Sequence, residues 1–247
     1  MKRTRVLSAA VLFLVVGGSA VAHAQGRGQE KQEERKRKHD DKDKHLDRQV
    51  STQEQQQRAE QEQRRAEAYK QRLDEQVRVA QQQAAQLQEQ KRIAQARAQE
   101  QYAAELRQQQ QRLQTRRDYS RDPYVNAPHT YRYVVGGVTR QTNQYGADVL
   151  RQAVNNGYQQ GLQAGRADRD DHRRASYRAS FGYQDANFGY AGNYVDESDY
   201  NHYFREGFRR GYDDGYSSRS QYGTSSNGAP SILGSLLTSI LGLQAIQ

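Results

Sequence analysis

Apolar residues are sparse in the first half of the chain, yet they recur with a helical period. From Ala66 the positions Ala66, Tyr69, Leu73, Val77, Ala80, Ala84, Leu87, Lys91, Ala94, Ala98, Tyr102, Leu106, Gln109 and Leu113 follow at steps of three or four. Twelve of these fourteen are apolar or aromatic. The mean step is about 3.6 residues, the repeat of a straight helix and not the 3.5 of a left-handed supercoil. No proline or glycine interrupts 52–117, where Gln, Glu, Arg and Ala dominate, all good helix formers. The pattern predicts a long solvent-exposed helix or coiled coil over 52–117, a rod roughly 90 Å or more in length. Many members of the stripe are only alanine, so the rod is expected to associate weakly, with help from charge pairs such as Glu60–Arg64.

The periodicity changes beyond the RDP at 121–123. Tyr131, Tyr133 and Val135 alternate with Arg132 and Val134, Gly136-Gly137 suits a two-residue turn, and VTRQT returns. This reads as a β-hairpin, or else as an extended linker. The next pattern is a repeat. VNNGYQQGLQAGR (154–166) and FREGFRRGYDDGY (204–216) align without gaps at an offset of 50. Gly157, Gly161 and Gly165 form one stripe, matched by Gly207, Gly211 and Gly215. Beside each stripe lie large residues: Tyr158 and Leu162 in the first copy, Phe204, Phe208, Tyr212 and Tyr216 in the second. Three glycines inside a helix cost about 3 kcal/mol relative to alanine. Each buried large apolar side chain returns about 1.5–3 kcal/mol, so such a helix persists only when packed. Glycine stripes let another backbone approach closely. The twelve residues named form the expected helix-packing interface, joining the two copies as a helical hairpin or joining like copies in different chains.

Between the copies, Asp168, Asp170 and Asp171 are placed to continue or cap the first helix, 181–193 reads as a loop, and Asp196 to Asp199 as the start of the second helix. TSSNGAP lies in a linker over 223–230. The apolar residues Ile232, Leu233, Leu236, Leu237, Ile240 and Leu241 give one face of a C-terminal helix over 231–247. That helix is expected to dock on the rest of the protein, on a second chain, or on a membrane surface.

Composition divides the chain. Lys2, Arg3 and Arg5 precede the apolar run VLSAAVLFLVV, and Ala22-His23-Ala24 forms a small-x-small cleavage site, the layout of a signal peptide over 1–24. Loss of Lys2, Arg3 and Arg5 would take the net charge from +9 to +6. Residues 25–117 hold 22 Lys/Arg and 16 Asp/Glu, whereas 118–247 are neutral with 13 of each and contain fifteen of the 17 tyrosines. The tract 25–51 is dense in interleaved charge and predicts a disordered segment or a loosely formed helix. The expectation is thus a mainly α protein: an exposed rod, a small Gly/Tyr-rich helical domain over 118–222, and disordered segments. The chain has no cysteine, so no disulfide accompanies the expected export to the periplasm or beyond.

The glycine repeats are similar to those of the deca-GX3 family and of flagellar export-ATPase regulators, which implies protein–protein assembly. The Gln-rich segment resembles the stalks that span the periplasm. The order of signal, Gln-rich helix, GYQQG, YQDANFGY and YFREGFRRGYDDGY looks like that of secreted proteins of soil bacteria, a resemblance that implies no activity.

Candidate chemistry is thin. DANFGYAGNYVDE (185–197) places Asp185, Asn187, Asn193 and Asp196 at positions 1, 3, 9 and 12 of a calcium loop, but Tyr190 stands where glycine belongs and Asp196 where glutamate does. His172 and His202 have no ligand spacing. No nucleophile elbow, Walker loop or HExxH occurs. No catalytic residue, metal or cofactor is therefore expected, and the chain is read as no enzyme. The reading is an exported scaffold or adaptor acting through helix–helix assembly, as a homo-oligomer or with another envelope protein. The alternative is an envelope-binding module whose Arg/Tyr surface touches peptidoglycan, another glycan or nucleic acid. The neutral balance of 118–247 argues against nucleic acid.

Overall fold

The computed structural model describes residues 26–114, 117–226 and 229–246, as backbone alone over 26–51 and at 226 and 229. The signal peptide expected at 1–24 lies outside the described residues. The chain divides into two units, Met1–Ser51 and Thr52–Gln247. Of the first unit, helical backbone over 26–51 is described; everything below concerns the second.

The protein is mainly helical, with a small antiparallel sheet. Helix α1 (Gly26–Glu89) and helix α2 (Ile93–Leu113) take the place of the single rod expected over 52–117. The helix stops without glycine or proline. Lys91 adopts φ +57°, and the Arg92 and Lys91 amides reach back to the Leu87 and Gln88 carbonyls, both at 2.9 Å. This is a Schellman ending. A left-handed lysine costs roughly 1–2 kcal/mol, and what offsets it is tertiary. Both carboxylate oxygens of Asp171 accept from the start of α2, from the Ala94 amide at 2.9 Å and the Gln95 amide at 2.8 Å. α2 then runs back along α1. Gln109 donates to the Tyr69 hydroxyl at 2.6 Å, and Gln110 to Asp74 at 2.6 Å. The apolar stripe is buried: Tyr69, Leu73 and Ala80 on α1 and Leu106 on α2 are fully covered. It joins the core of the tyrosine-rich half instead of facing solvent.

Strands β1 (Tyr131–Val135) and β2 (Val138–Thr142) form the hairpin, with Gly136 and Gly137 at φ +58° and +80°, as a two-residue turn of primed type requires. Asn143 caps helix α3 (Gln144–Asp170), its side chain accepting the Gly146 amide at 2.9 Å. A short helix, α4 (Phe181–Asp185), lies in the connection to α5 (Glu197–Ser217). Asp196 stands at the N-cap of α5, but its carboxylate pairs with Arg65 at 2.6 Å and Arg140 at 3.1 Å, while Glu197 and Asp199 supply negative charge to the first turn.

The linker and single terminal helix expected over 223–247 are corrected. Strands β3 (Gly223–Ser226) and β4 (Ala229–Ile232) pair with each other. Helix α6 covers only Gly234–Leu241 and ends at Gly242, φ +52°. The last strand, β5 (Gln244–Ala245), then pairs with β1. Ile232 and Leu241 are buried, and Tyr203 donates to the Leu241 carbonyl at 3.2 Å, so this apolar segment docks on its own chain. Among the described residues no helix is long and apolar enough to cross a membrane.

Candidate functional site: a glycine seam and a glutamine-lined cavity

The two repeat copies lie on α3 and α5 and face each other. A β carbon built on Gly157 would overlap the Phe204 carbonyl oxygen and lie 2.8 Å from its carbon; on Gly161 it would meet Phe208 in the same way, and on Gly165, Tyr212. The reverse holds for Gly207 against Val154, Gly211 against Tyr158 and Gly215 against Leu162. In every case the opposing carbonyl belongs to the residue three before the equivalent glycine of the other copy. The 50-residue duplication is therefore a local two-fold, with each glycine Cα hydrogen directed at a carbonyl.

Contacts advance in the same direction along both helices, so α3 and α5 are parallel. The expected helical hairpin is corrected: a hairpin is antiparallel, whereas here the 171–196 connection carries the chain back before α5 begins. A parallel pair brings two negative helix ends together. Arg169, in the last turn of α3, donates to the Gly215 carbonyl near the end of α5 at 3.0 Å, placing a cation where both dipoles favour one.

The large residues of the repeat flank this seam. Tyr158, Leu162, Phe204, Phe208 and Tyr212 are buried; Tyr216 is half-buried, stacks on Tyr212, and donates to the Arg173 carbonyl at 2.8 Å. Their hydroxyls are tied to carboxylates. Tyr212 donates to Asp168, and Tyr158 donates to Asp214 at 2.8 Å. Asp214, 2% exposed, also accepts the Gln221 and Tyr222 amides, both at 2.9 Å. It anchors the turn into β3. Asp214→Ala leaves the buried Tyr158 hydroxyl and two part-buried amides unpaired, and the domain should lose about 2 kcal/mol or more. Urea unfolding checks this: a midpoint matching the parent's would refute the anchoring role.

The segment 185–197, spaced like a calcium loop, hydrogen-bonds to protein groups. Asp185 accepts from Tyr102, the Asn187 carbonyl from Tyr69 at 3.3 Å, and the Phe188 carbonyl from Tyr200 at 2.6 Å. Glu62 accepts the Tyr194 amide at 2.7 Å. Among the described residues no group of three His, Asp or Glu could hold a metal ion. His172 and His202 are both exposed, and the His202 ring meets Tyr203 edge-on.

Two clefts remain. One, of about 260 Å³, is lined by Arg58, Arg65, His129, Arg140, Glu62 and Asp196 among others. Its charges are largely paired: Arg65 with Glu62 and Asp196, Arg140 with Asp196 and, at 3.2 Å, with the buried Asp199. Burial foremost, and the Arg58 guanidinium next, hold His129 below its usual range, so it adds little positive charge at neutral pH.

The other cleft, of about 210 Å³, opens between the α1–α2 turn, α3 and α4. Gln83, Gln86, Gln95 and Gln160 line it, together with Phe181 and the nearly fully buried Tyr102. Gln95 donates to Asp168 but leaves its buried Oε1 without a protein partner, and the Nε of Arg92 is in the same state. Burial raises the Asp168 carboxyl above its usual range, against the Tyr212 hydrogen bond and the Arg92 charge that lower it. These residues were not singled out from sequence: in a segment where glutamine is the commonest residue, no single Gln stands apart. No family model, characterised protein or solved structure matches the chain.

Proposed function

We propose that the protein is an exported adaptor, whose domain Thr52–Gln247 holds a partner in the bacterial envelope by non-covalent binding. The closed seam supports this over assembly through the repeats. Each glycine stripe is covered by the other helix of the same chain, which leaves neither stripe free for a second copy. The Arg/Tyr interleaving that suggested a contact surface is also used internally: Arg151 lies over Tyr131, Arg178 over Tyr177 and Arg205 over Tyr183. The cleft between the α1–α2 turn, α3 and α4 is one surface of the described residues that these internal contacts leave open.

Light scattering on residues 25–247 should return a monomer. A stable oligomer of the folded chain would overturn the monomeric reading and restore assembly between chains. Export has its own measurement: the chain recovered from an envelope fraction should begin at Gln25. A cytosolic chain retaining Lys2 to Arg5 would remove the envelope from the proposal.

A further inference from the structure

Tyr124 and Tyr145 come from different elements, the loop before β1 and the first turn of α3, yet their rings stack with centroids 3.5 Å apart and planes 29° from parallel. Asn143 brings them together. Its side-chain oxygen caps α3 by accepting the Gly146 amide at 2.9 Å, and its amide donates to the Tyr124 carbonyl at 2.6 Å. Asp122 fixes the other side of Tyr124, accepting its backbone amide at 2.9 Å. The backbones that carry the two rings are therefore held by one polar network, and the stack is built into the fold. Both residues are half-buried, so each keeps part of its surface in solvent.

The other tyrosine contacts differ from this one. Tyr69–Tyr190 and Tyr190–Tyr200 have centroids 4.8 and 5.0 Å apart, but all three residues are buried. Tyr177 and Tyr183 meet edge-on at 5.0 Å, and Tyr212 and Tyr216 stack at 6.1 Å. Tyr194 is a third ring beside the pair, 6.1 Å from Tyr124 and 6.2 Å from Tyr145, and its hydroxyl is committed to Asp122 at 2.9 Å. Burial first, and then a side-chain hydrogen bond with Tyr124, raise the Tyr145 phenol above its usual range. That hydrogen bond places the two hydroxyls at the same end of the stack, and with them the ring carbons next to each oxygen.

We infer that Tyr124 and Tyr145 are the site of an intramolecular dityrosine cross-link, formed by a one-electron oxidant driven by hydrogen peroxide. Each phenol gives up one electron and its hydroxyl proton and becomes a phenoxyl radical. The two odd electrons pair in a new bond between one Cε of Tyr124 and one Cε of Tyr145. The hydrogen on each of those carbons then moves to the oxygen of its own ring, which restores two phenols. The two electrons and two protons released reduce one hydrogen peroxide to two waters. Holding the rings in contact makes the coupling intramolecular and favours it over encounters between chains. The product ties the loop before the hairpin to the start of α3 in a chain without cysteine, and removes loop-closure entropy from the unfolded state. The inference stands apart from the adaptor reading, since it concerns this chain whatever the chain binds.

The test treats the purified chain, kept dilute, with a haem peroxidase and hydrogen peroxide. Dityrosine fluorescence is read on the monomer, and its tryptic peptides are analysed by mass spectrometry. The expected product joins Asp122–Arg132 to Gln141–Arg151 and is two hydrogens lighter than their sum, with fragmentation placing the link on Tyr124 and not on Tyr131. Tyr124→Phe and Tyr145→Phe should each abolish that species, and Tyr177→Phe should keep it. Should either of the first two variants misfold, the parent oxidised in urea replaces them and should lose the link, because the unfolded chain no longer holds the rings together. Absence of the linked species from the oxidised parent, equal yields from folded and unfolded chain, or equal yields of links between other tyrosine pairs would overturn the inference.

Discussion

Gly161→Ala and Gly211→Ala are each expected to destabilise the domain by about 3 kcal/mol or more, although alanine is the better helix former by about 1 kcal/mol. At Gly211 the new methyl would overlap the Tyr158 carbonyl oxygen and lie 2.8 Å from its carbon and 2.9 Å from the Leu162 nitrogen. Those atoms are backbone within a helix and cannot turn aside as a side chain can. Relief requires α3 and α5 to separate along their whole length, which opens gaps around Phe204, Phe208 and Tyr212. Overpacking in a core costs typically about 1–3 kcal/mol; displacing two helices belongs at or above the top of that range, against a total stability of about 5–15 kcal/mol for a domain. The double substitution should not fold. Gly234→Ala is the control: a β carbon there meets nothing within 4 Å, and at the first residue of α6 it should be neutral or stabilise by up to about 1 kcal/mol. Thermal and urea unfolding of the three variants decides the matter. If Gly211→Ala tracks Gly234→Ala, the close approach is not what holds the pair.

Alkali is expected to unfold the domain in one cooperative step, ahead of any gradual ionisation of its buried tyrosines. Burial is the first cause raising the phenols of Tyr69, Tyr102, Tyr190 and Tyr200 above their ordinary range, and burial followed by the Asp199 charge takes Tyr203 up to about 12. A folded-state pKa above the unfolded one means that the native state keeps protons the unfolded state has lost. The stability these phenols contribute is complete below the unfolded value near 10 and falls as pH rises above it. Each pH unit of such a shift corresponds to about 1.4 kcal/mol, and several tyrosines act together, so little of the domain's stability should survive to about pH 12. Tyrosinate absorbance and far-ultraviolet circular dichroism should change together. A phenolate signal that rises well before helicity is lost would contradict the account. The buried carboxyls carry the same sign at the acid end. Burial raises Asp168 and Asp185, so their contribution declines as pH rises from about 4 through their raised values, and they do not drive acid unfolding.

Much of the local structure could be read from residue order. The 3.6-residue stripe identified the face of α1 and α2 that is buried, because burying one side of a helix demands that period. Gly136-Gly137 marked the hairpin turn, because two consecutive positive φ angles favour glycine. The offset of 50 identified α3 and α5 as copies and showed which glycines and which large residues stand together. The break at Lys91 was not legible, since nothing in QKR disfavours a helix. It depends on Asp171, a residue far along the chain, accepting two amides at the start of α2. β5 was equally hidden: Gln244 and Ala245 have no strand preference and become a strand because β1 presents an open edge to them. The cleft was invisible because its glutamines come from three helices whose arrangement the sequence does not state.

The sequence by itself determined where helices can form, which stripe of each is apolar, and that two segments share one packing surface, since these follow from period, propensity and duplication along a single strand of chain. Only the tertiary structure decided that the glycine helices run parallel, that the long helix folds back, and that the tyrosines and their carboxylate partners lie inside. Direction and partnership are properties of long-range burial and hydrogen bonding, where a cap or a carbonyl supplied from a distant residue selects among arrangements that the local pattern leaves equal.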